Sequence, residues 1–262
     1  VTLPSAEELE ALAFDADIAY FKAFTARGGG TVLDEGGVVS WRSLYKMPFL
    51  VNTVARTDRS VAPAEVIRQG DARFEGGYEI LCLVGSDDDL LEEAVGQGAK
   101  AGDADPLQML LDLDALGDPT VPPSIELRTV TDAEGVADIA AVNRNASAVY
   151  GFSGDLFPTV FAAPETVLAD DIEAVVAYER DWPVATAQVF FHGEIGYVGW
   201  VATSRKAMRR GLGTLVTHDV VARARRRGAE LMSLMASPMG APIYRRMGFV
   251  DVGWVRGVQR SR

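Results

Sequence analysis

Val201-Ala-Thr-Ser-Arg-Lys-Ala-Met-Arg-Arg-Gly-Leu-Gly-Thr214 places two glycines, one residue apart, where a basic loop turns into a helix. Leu212, Leu215, Val216 and Val220 keep helical spacing from there, and Gly228 stops the run. A helix start presents N–H groups without intrahelical partners and a partial positive charge. Gly211 and Gly213 remove the Cβ atoms that would hold an anion away, and Arg209 and Arg210 add full charges beside it. The stretch therefore reads as a diphosphate site. A Walker loop needs Lys and then Ser/Thr directly after the second glycine, where this chain has Thr214-Leu215. A dinucleotide fingerprint needs a tight turn straight off the strand and a third Gly or Ala. Here seven residues separate Thr203 from Gly211, and position 216 is valine. Glu230 opens a strand instead of ending one, so it is poorly placed for a ribose. Coenzyme A is the third diphosphate ligand to weigh.

Working outward, residues 195–203 read as a Gly/Val/Trp-rich strand and residues 211–227 as the helix. Residues 231–236 then read as a short apolar strand, 242–247 as a short helix ended by Gly248, and 249–255 as a last strand. A similar order is predicted earlier in the chain. There a strand at 48–56 precedes a helix opened by Pro63 and reaching Phe74, and a turn at Gly76-Gly77 follows. A strand at 78–84, a helix at 88–95 ended by Gly96 or Gly98, and an apolar segment at 107–113 complete it. The Pro-rich stretch 117–124 separates the two, placing domains at 1–118 and 124–262. Two related domains explain the repetition, and so does ordinary α/β alternation. The copies differ where chemistry is expected. Thr57-Asp-Arg-Ser-Val-Ala-Pro63 has no glycine, and Ala94-Val-Gly-Gln-Gly98 has alanine where Tyr244-Arg-Arg-Met-Gly248 has tyrosine. The first half would then be a scaffold or a wall of the substrate cleft.

Val201-Ala-Thr, Met208-Arg-Arg-Gly-Leu-Gly-Thr214, Ala236-Ser237 and Tyr244-Arg-Arg-Met-Gly-Phe249 together resemble the GNAT superfamily of acyl-CoA-dependent N-acyltransferases. In that family Gln/Arg-x-x-Gly-x-Gly/Ala opens a helix, and a Tyr stands four residues before Gly-Phe. Ile125-Glu-Leu-Arg-Thr-Val-Thr-Asp132 looks like the family's opening strand. The resemblance covers residues 125–258, and the first half resembles, more loosely, the degenerate partner domain of tandem members. It implies an acyl-CoA N-acyltransferase fold, α/β with a mixed sheet, in two related domains of which the N-terminal one is degenerate.

The resemblance also implies acetyl-CoA as co-substrate. Main-chain groups of Val201, Ala202 and Thr203 would pair with the pantetheine arm and hold the thioester carbonyl. Amides of Arg209, Arg210, Gly211, Leu212, Gly213 and Thr214 would hold the pyrophosphate, with Met208 opening the segment and Ser237 touching the cofactor. An amine of a small molecule or a protein would attack directly, and Tyr244 would protonate the departing thiolate. A phenol with a pKa near ~10 suits that task.

The chain departs from the pattern at several places. Met208 replaces the usual Gln/Arg and Arg205 a common Pro, so weaker anchoring is expected, but not lost binding. Ser237 stands where many members have Asn, and Tyr197 where some carry a general-base Glu. Glu194 and His192 are alternatives that would relay a proton through water, or else a surface hairpin Glu and a turn His. Trp182, Phe190, Trp200, Tyr150 and Phe152 line an acceptor cleft or simply fill core, and residues 151–164 would form its gate.

Composition bounds the rest. The chain has 262 residues, 48% hydrophobic and 24% charged, as expected of a globular protein able to bury a core. One cysteine, Cys82, excludes an internal disulfide and a Cys-based zinc site, and no metal is expected. Acidic residues 7, 8, 10, 15 and 17 replace the basic head and apolar run of a signal peptide, so a cytoplasmic location is expected. Residues 1–120 carry 9 Lys+Arg against 22 Asp+Glu, and the remainder 16 against 15. An acidic first half repels nucleic acid and anionic lipid, so neither is expected as a partner. A non-catalytic acyl-CoA-binding or interaction module is the alternative, and a nucleic-acid binder using residues 223–227 the remotest reading. A homodimer stays open.

Overall fold

The protein is described by a computed structural model covering residues 5–45, 50–102, 105–113, 116–149, 151 and 153–261. It divides into two compact units that do not follow chain order. The first takes the described residues up to Gln108, Ala236–Pro238 and those from Asp251 on; the second takes Met109–Met235 and Met239–Val250.

The first unit opens with α1 (Ala6–Arg27), started by a capping box in which the Glu8 amide donates to Ser5 Oγ at 3.2 Å. Ser5-x-x-Glu8 was a legible start signal, but the helix has no narrow apolar stripe. Its buried residues, from Ala13 through Thr25, cover most of its circumference and include Asp17. β1 (Thr31–Glu35) and β2 (Val38–Arg42) form a hairpin around Gly36-Gly37, both at positive φ. That is the glycine pair a tight hairpin turn requires. β3 (Thr53–Arg56) pairs antiparallel with β2 and parallel with β4 (Tyr78–Leu83), joined to it by α2 (Pro63–Arg73). The strand expected over 48–56 thus begins at Thr53; positions 48 and 49 lie outside the described residues. α3 (Asp88–Gly96) and the two-residue β5 (Lys100–Ala101) follow.

The strand beyond β4 in this unit comes from the end of the chain. β12 (Val250–Arg260) pairs antiparallel with β4 from Val255↔Leu83 to Arg260↔Tyr78, and also with β5. Sequence patterning had given the last strand, as 249–255, to the second half.

Val54, Val66, Ile67, Phe74, Ile80, Cys82, Leu90 and Val258 form a core cluster of this unit. Burial pushes the Cys82 thiol well above its ordinary pKa. We expect Cys82 to resist a thiol-specific disulfide reagent in the native protein and to react at once in denaturant. Fast native labelling would show that the core around β4 opens.

In the second unit, β7 (Glu126–Thr129), β8 (Ile172–Glu179), β9 (Trp182–His192) and β10 (Ile195–Thr203) are successive antiparallel neighbours. β10 then pairs parallel with β11 (Leu231–Ala236). β6 (Leu107–Asp112), which joins this unit from Met109 on, neighbours β11 on its other side. α4 (Ala133–Ala146), capped by Asp132, and α6 (Leu212–Arg226) pack on the sheet, while α5 (Phe157–Val160) and α7 (Ala241–Arg246) are short. Both units therefore share one plan, an antiparallel meander whose last strand starts a parallel pair connected by a helix. The helix expected over 211–227 is α6 with Gly211 and Arg227 as its caps, and β10 and β11 fall on their expected bounds.

Candidate active site

The site starts from a fault in β10. Its register with β9 runs from Ile195↔His192 to Gly199↔Gln188, then resumes at Ala202↔Thr186, so β10 carries one extra residue. Trp200 lies in that bulge at φ 52°, a left-handed conformation rare for a tryptophan. Its ring makes edge contacts with Phe157 at 6.2 Å and Phe161 at 4.9 Å, which fix it against α5. Among the described residues, the parallel register of β10 and β11 ends at Tyr197↔Ser233. Beyond that pair both strands continue, through 198–203 and 234–236, so the bulge coincides with a fork. Val201, Ala202 and Thr203 line its β10 side, Val201 within the bulge and Ala202 and Thr203 held by β9 along their other edge.

The loop after β10 is tied down at each step. The Ser204 amide donates to the Val184 carbonyl at 2.8 Å, and the Arg205 amide to Asn145 Oδ1 at 2.7 Å. Met208 packs against Val142, Ala146 and Ala202, so this departure from the family pattern is an apolar anchor to α4. Arg209 and Gly211 both take positive φ, 59° and 78°. For arginine that conformation costs about 1 kcal/mol and needs the surrounding loop to enforce it. Nothing stands within 4 Å of a Cβ built on Gly211, whereas one on Gly213 would meet Thr203 Oγ1 at 3.3 Å. The first glycine thus turns the chain beside open space, and the second lets α6 close onto the end of β10.

α6 begins without a capping side chain and without an acidic residue in its first turn. Its first intrahelical bond is the Leu215 amide to the Gly211 carbonyl at 2.9 Å, which leaves the amides of Leu212, Gly213 and Thr214 pointing outward. Three donors at the positive end of a 15-residue helix are the chemistry expected for a diphosphate. Arg210 is not a free cation there, contrary to the expectation of full charge at both arginines. Its guanidinium makes a two-pronged pair with Glu179 at 3.0 and 2.6 Å, and that pair holds the Glu179 carboxyl below the usual carboxylate range. Glu179 and Asn145 were missed in the sequence because they reach the loop from β8 and α4, with no local motif.

Tyr244 is half-buried on α7, whose end explains the spacing of the motif. The Phe249 amide donates to the Tyr244 carbonyl at 3.1 Å and the Gly248 amide to the Arg245 carbonyl at 3.1 Å, with Gly248 at φ 98°. This is a Schellman ending, and its usual apolar contact is Tyr244 against Phe249 at 5.7 Å. The same bonds end α3, from Ala99 to Ala94 and from Gly98 to Val95. Ala94 and Tyr244 therefore occupy equivalent helix positions, as the sequence register suggested. Ser237 follows β11 directly and is exposed.

Several candidates fall away. Glu194 lies in the hairpin turn between β9 and β10, next to Gly193. Seven strand residues lie between Glu194 and Ala202, roughly 26 Å of extended chain over eight steps, so neither it nor His192 reaches the end of β10 at 201–203. Tyr197, where some family members carry a base, is buried at 4% exposure. Phe190 is core, Trp182 is 75% exposed, and Tyr150 and Phe152 lie outside the described residues. The gate expected over 151–164 contains short helical turns, with Phe157 and Phe161 committed to Trp200.

The arginine-rich end of α6 is structural. Arg223 pairs with Asp219 and Glu173, Arg225 with Asp118, and Arg227 with Glu173 while stacking 4.2 Å from the Phe191 ring. Those three cations are paired in place. No helix among the described residues is long and apolar enough to cross a membrane.

In the first unit the equivalent place is closed. β3 and β4 stay in register to Ala55↔Leu81, and the next side chain, Arg56, is buried and bridges onward. It donates to Asp87 Oδ1 at 3.0 and 2.8 Å, to Asp89 at 2.9 and 2.5 Å and to the Val61 carbonyl at 3.2 Å. Asp87 in turn accepts from the Leu83 amide at 2.9 Å. An ion-pair network occupies the end of this strand pair where the second unit has a fork.

Residues 146–249 match the Acetyltransferase (GNAT) family. The whole chain is similar to a GCN5-related N-acetyltransferase from Kribbella flavida, at 20% identity over 93% of this chain and 95% of that one, with a TM-score of 0.68. It is also similar to a GCN5-related N-acetyltransferase from Sphaerobacter thermophilus, at 16% identity, 98% and 94% coverage and a TM-score of 0.61. A tandem GNAT protein from the clavulanic acid biosynthesis pathway shares 13% identity, with 96% of each chain covered and a TM-score of 0.59. No curated protein matches the chain. The chain thus has the mixed α/β fold of these acetyltransferases, and residues 146–249 are the part that the family match covers.

Proposed function

We propose that this chain transfers an acetyl group from acetyl-CoA directly to an amine, on a small molecule or a protein, with one active site per chain. The fork between β10 and β11, directly upstream of a helix start with three outward amides, carries this reading. Acetyl-CoA supplies an activated thioester when bound. Main-chain groups of Val201, Ala202 and Thr203 would align the pantetheine arm as an added strand would align, and the amides from Arg209 to Thr214 would hold the diphosphate. Met208 positions that loop by packing, and Ser237 flanks the fork from the end of β11. Tyr244 is the general acid that gives its phenolic proton to the departing thiolate. The shared strand plan and matched helix endings support two related domains, 1–118 and 124–262 in chain order, of which the first has lost its site to the Arg56 network.

Titration calorimetry with acetyl-CoA, NAD and ATP tests the ligand, and release of free thiol in the presence of an amine panel tests the reaction. Acetyl-CoA is expected to bind at one per chain, with NAD and ATP inert. Absence of acetyl-CoA binding defeats the proposal. Binding without transfer to any amine favours a non-catalytic acyl-CoA module, the reading that buried Tyr197 in the base position would then explain.

A further inference from the structure

Trp182 is the most exposed large apolar side chain of the described residues, at 75%, and the reaction described above gives it no task. Its place in the fold is specific. It opens β9 directly opposite Glu179, the last residue of β8, and residues directly opposite in an antiparallel pair project from the same face. Glu179 projects toward the loop, since its carboxylate holds the Arg210 guanidinium one residue before Gly211. The indole therefore leaves the sheet on the side where α6 begins. The Ser204 amide bonds to the Val184 carbonyl, which keeps this end of β9 beside the loop.

The platform is also stiff. Arg180 and Asp181 form a two-residue turn with φ of 50° and 65°, the left-handed pair that closes a hairpin tightly. Asp181 is tied to Arg128 at 2.9 Å, and Arg128 lies 4.2 Å from the Tyr178 ring. Two arginines thus pin the hairpin tip from either side, at Asp181 and at Glu179. An indole has only two side-chain torsions, so its exposed face on a tied hairpin costs little conformational entropy when a flat ligand stacks on it. A purine attached to the diphosphate is the flat group nearest to hand.

We propose that Trp182 is the stacking platform for the adenine base of the thioester carrier, set in place by the Glu179–Arg210 pair. This rests on the diphosphate reading of the loop and adds the nucleoside end of the ligand to it. Base-on-aromatic stacking of ordinary strength makes Trp182→Ala weaken acetyl-CoA binding by about tenfold or more, with Trp182→Phe intermediate. The comparison ligand is S-acetyl-4′-phosphopantetheine, which keeps the thioester arm but has no adenine. Its affinity is expected to be the same for both proteins. Calorimetry with the two ligands, on wild type and both variants, reads this directly, and circular dichroism confirms the folded state. Equal acetyl-CoA affinity in wild type and Trp182→Ala overturns the platform while leaving the diphosphate site intact. Equal weakening of both ligands overturns it too, by assigning Trp182 to the loop's structure. Failure of the wild type to bind acetyl-CoA at all removes the site on which the platform depends.

Discussion

Tyr244→Phe is expected to lower kcat by about 10²–10⁴-fold while leaving the affinity for acetyl-CoA within about threefold. The ring of Tyr244 packs on Phe249, and its carbonyl accepts the bond that closes the Schellman ending of α7. Phenylalanine keeps the ring contact and the backbone bond, so only the hydroxyl is lost. If that hydroxyl protonates the thiolate in the transition state, its removal costs turnover and not binding. The pH profile supplies an independent signature. A general acid must be protonated, so wild-type kcat should fall above the phenol's pKa, ordinarily near ~10, and the variant should lack that limb. Equal losses in kcat and affinity, or no loss in either, would assign Tyr244 to packing.

The second large effect lies in the first unit. Arg56→Met should destabilise the protein by about 3–5 kcal/mol, because it leaves the fully buried Asp87 carboxylate with only the Arg59 guanidinium, 3.9 Å away. Replacing Arg56 and Asp87 together by apolar residues of similar volume should recover most of that loss, since the penalty comes from the unpaired charge. Urea unfolding of the single and double variants checks both. A single-variant loss under about 1 kcal/mol would mean that water already reaches the network.

Asp89 adds a pH dependence with a definite sign. Its carboxyl is held below its ordinary value, first by the hydrogen bond from Arg56. The stabilisation is therefore present above the unfolded carboxylate pKa of about 3.9 and is lost as pH falls through the lower folded value. Asp89→Asn should flatten that acid limb.

Much of the second unit was legible because its signals are local. Gly211, Gly228 and Gly248 each mark a backbone position at positive φ, and each announced the start or end of a helix. A Gly/Val/Trp-rich run and a short apolar run placed β10 and β11 on their observed bounds. Ala94 and Tyr244 fell in register because a Schellman ending imposes its own spacing wherever it occurs. The first unit was read less well. α1 hid behind a buried surface too broad to show a stripe, although Ser5 and Glu8 marked its start. The Gly36-Gly37 hairpin was available to sequence reasoning and passed over.

The sequence by itself determined the glycine-led helix, the strands on either side of it, the tyrosine position and the absence of a matching loop in the first half. The helix start and the helix end at Tyr244 depend on bonds that span at most a handful of residues, and the strands show as runs of apolar neighbours, so the residues that decide them are close in the chain. Only tertiary structure decided that β12 pairs with β4 and β6 neighbours β11, that Glu179 pairs with Arg210, and that Arg56 bridges from the end of β3 to Asp87 and Asp89. Those outcomes turn on which distant groups can satisfy a strand edge or a buried charge, and no local pattern along the chain records that choice.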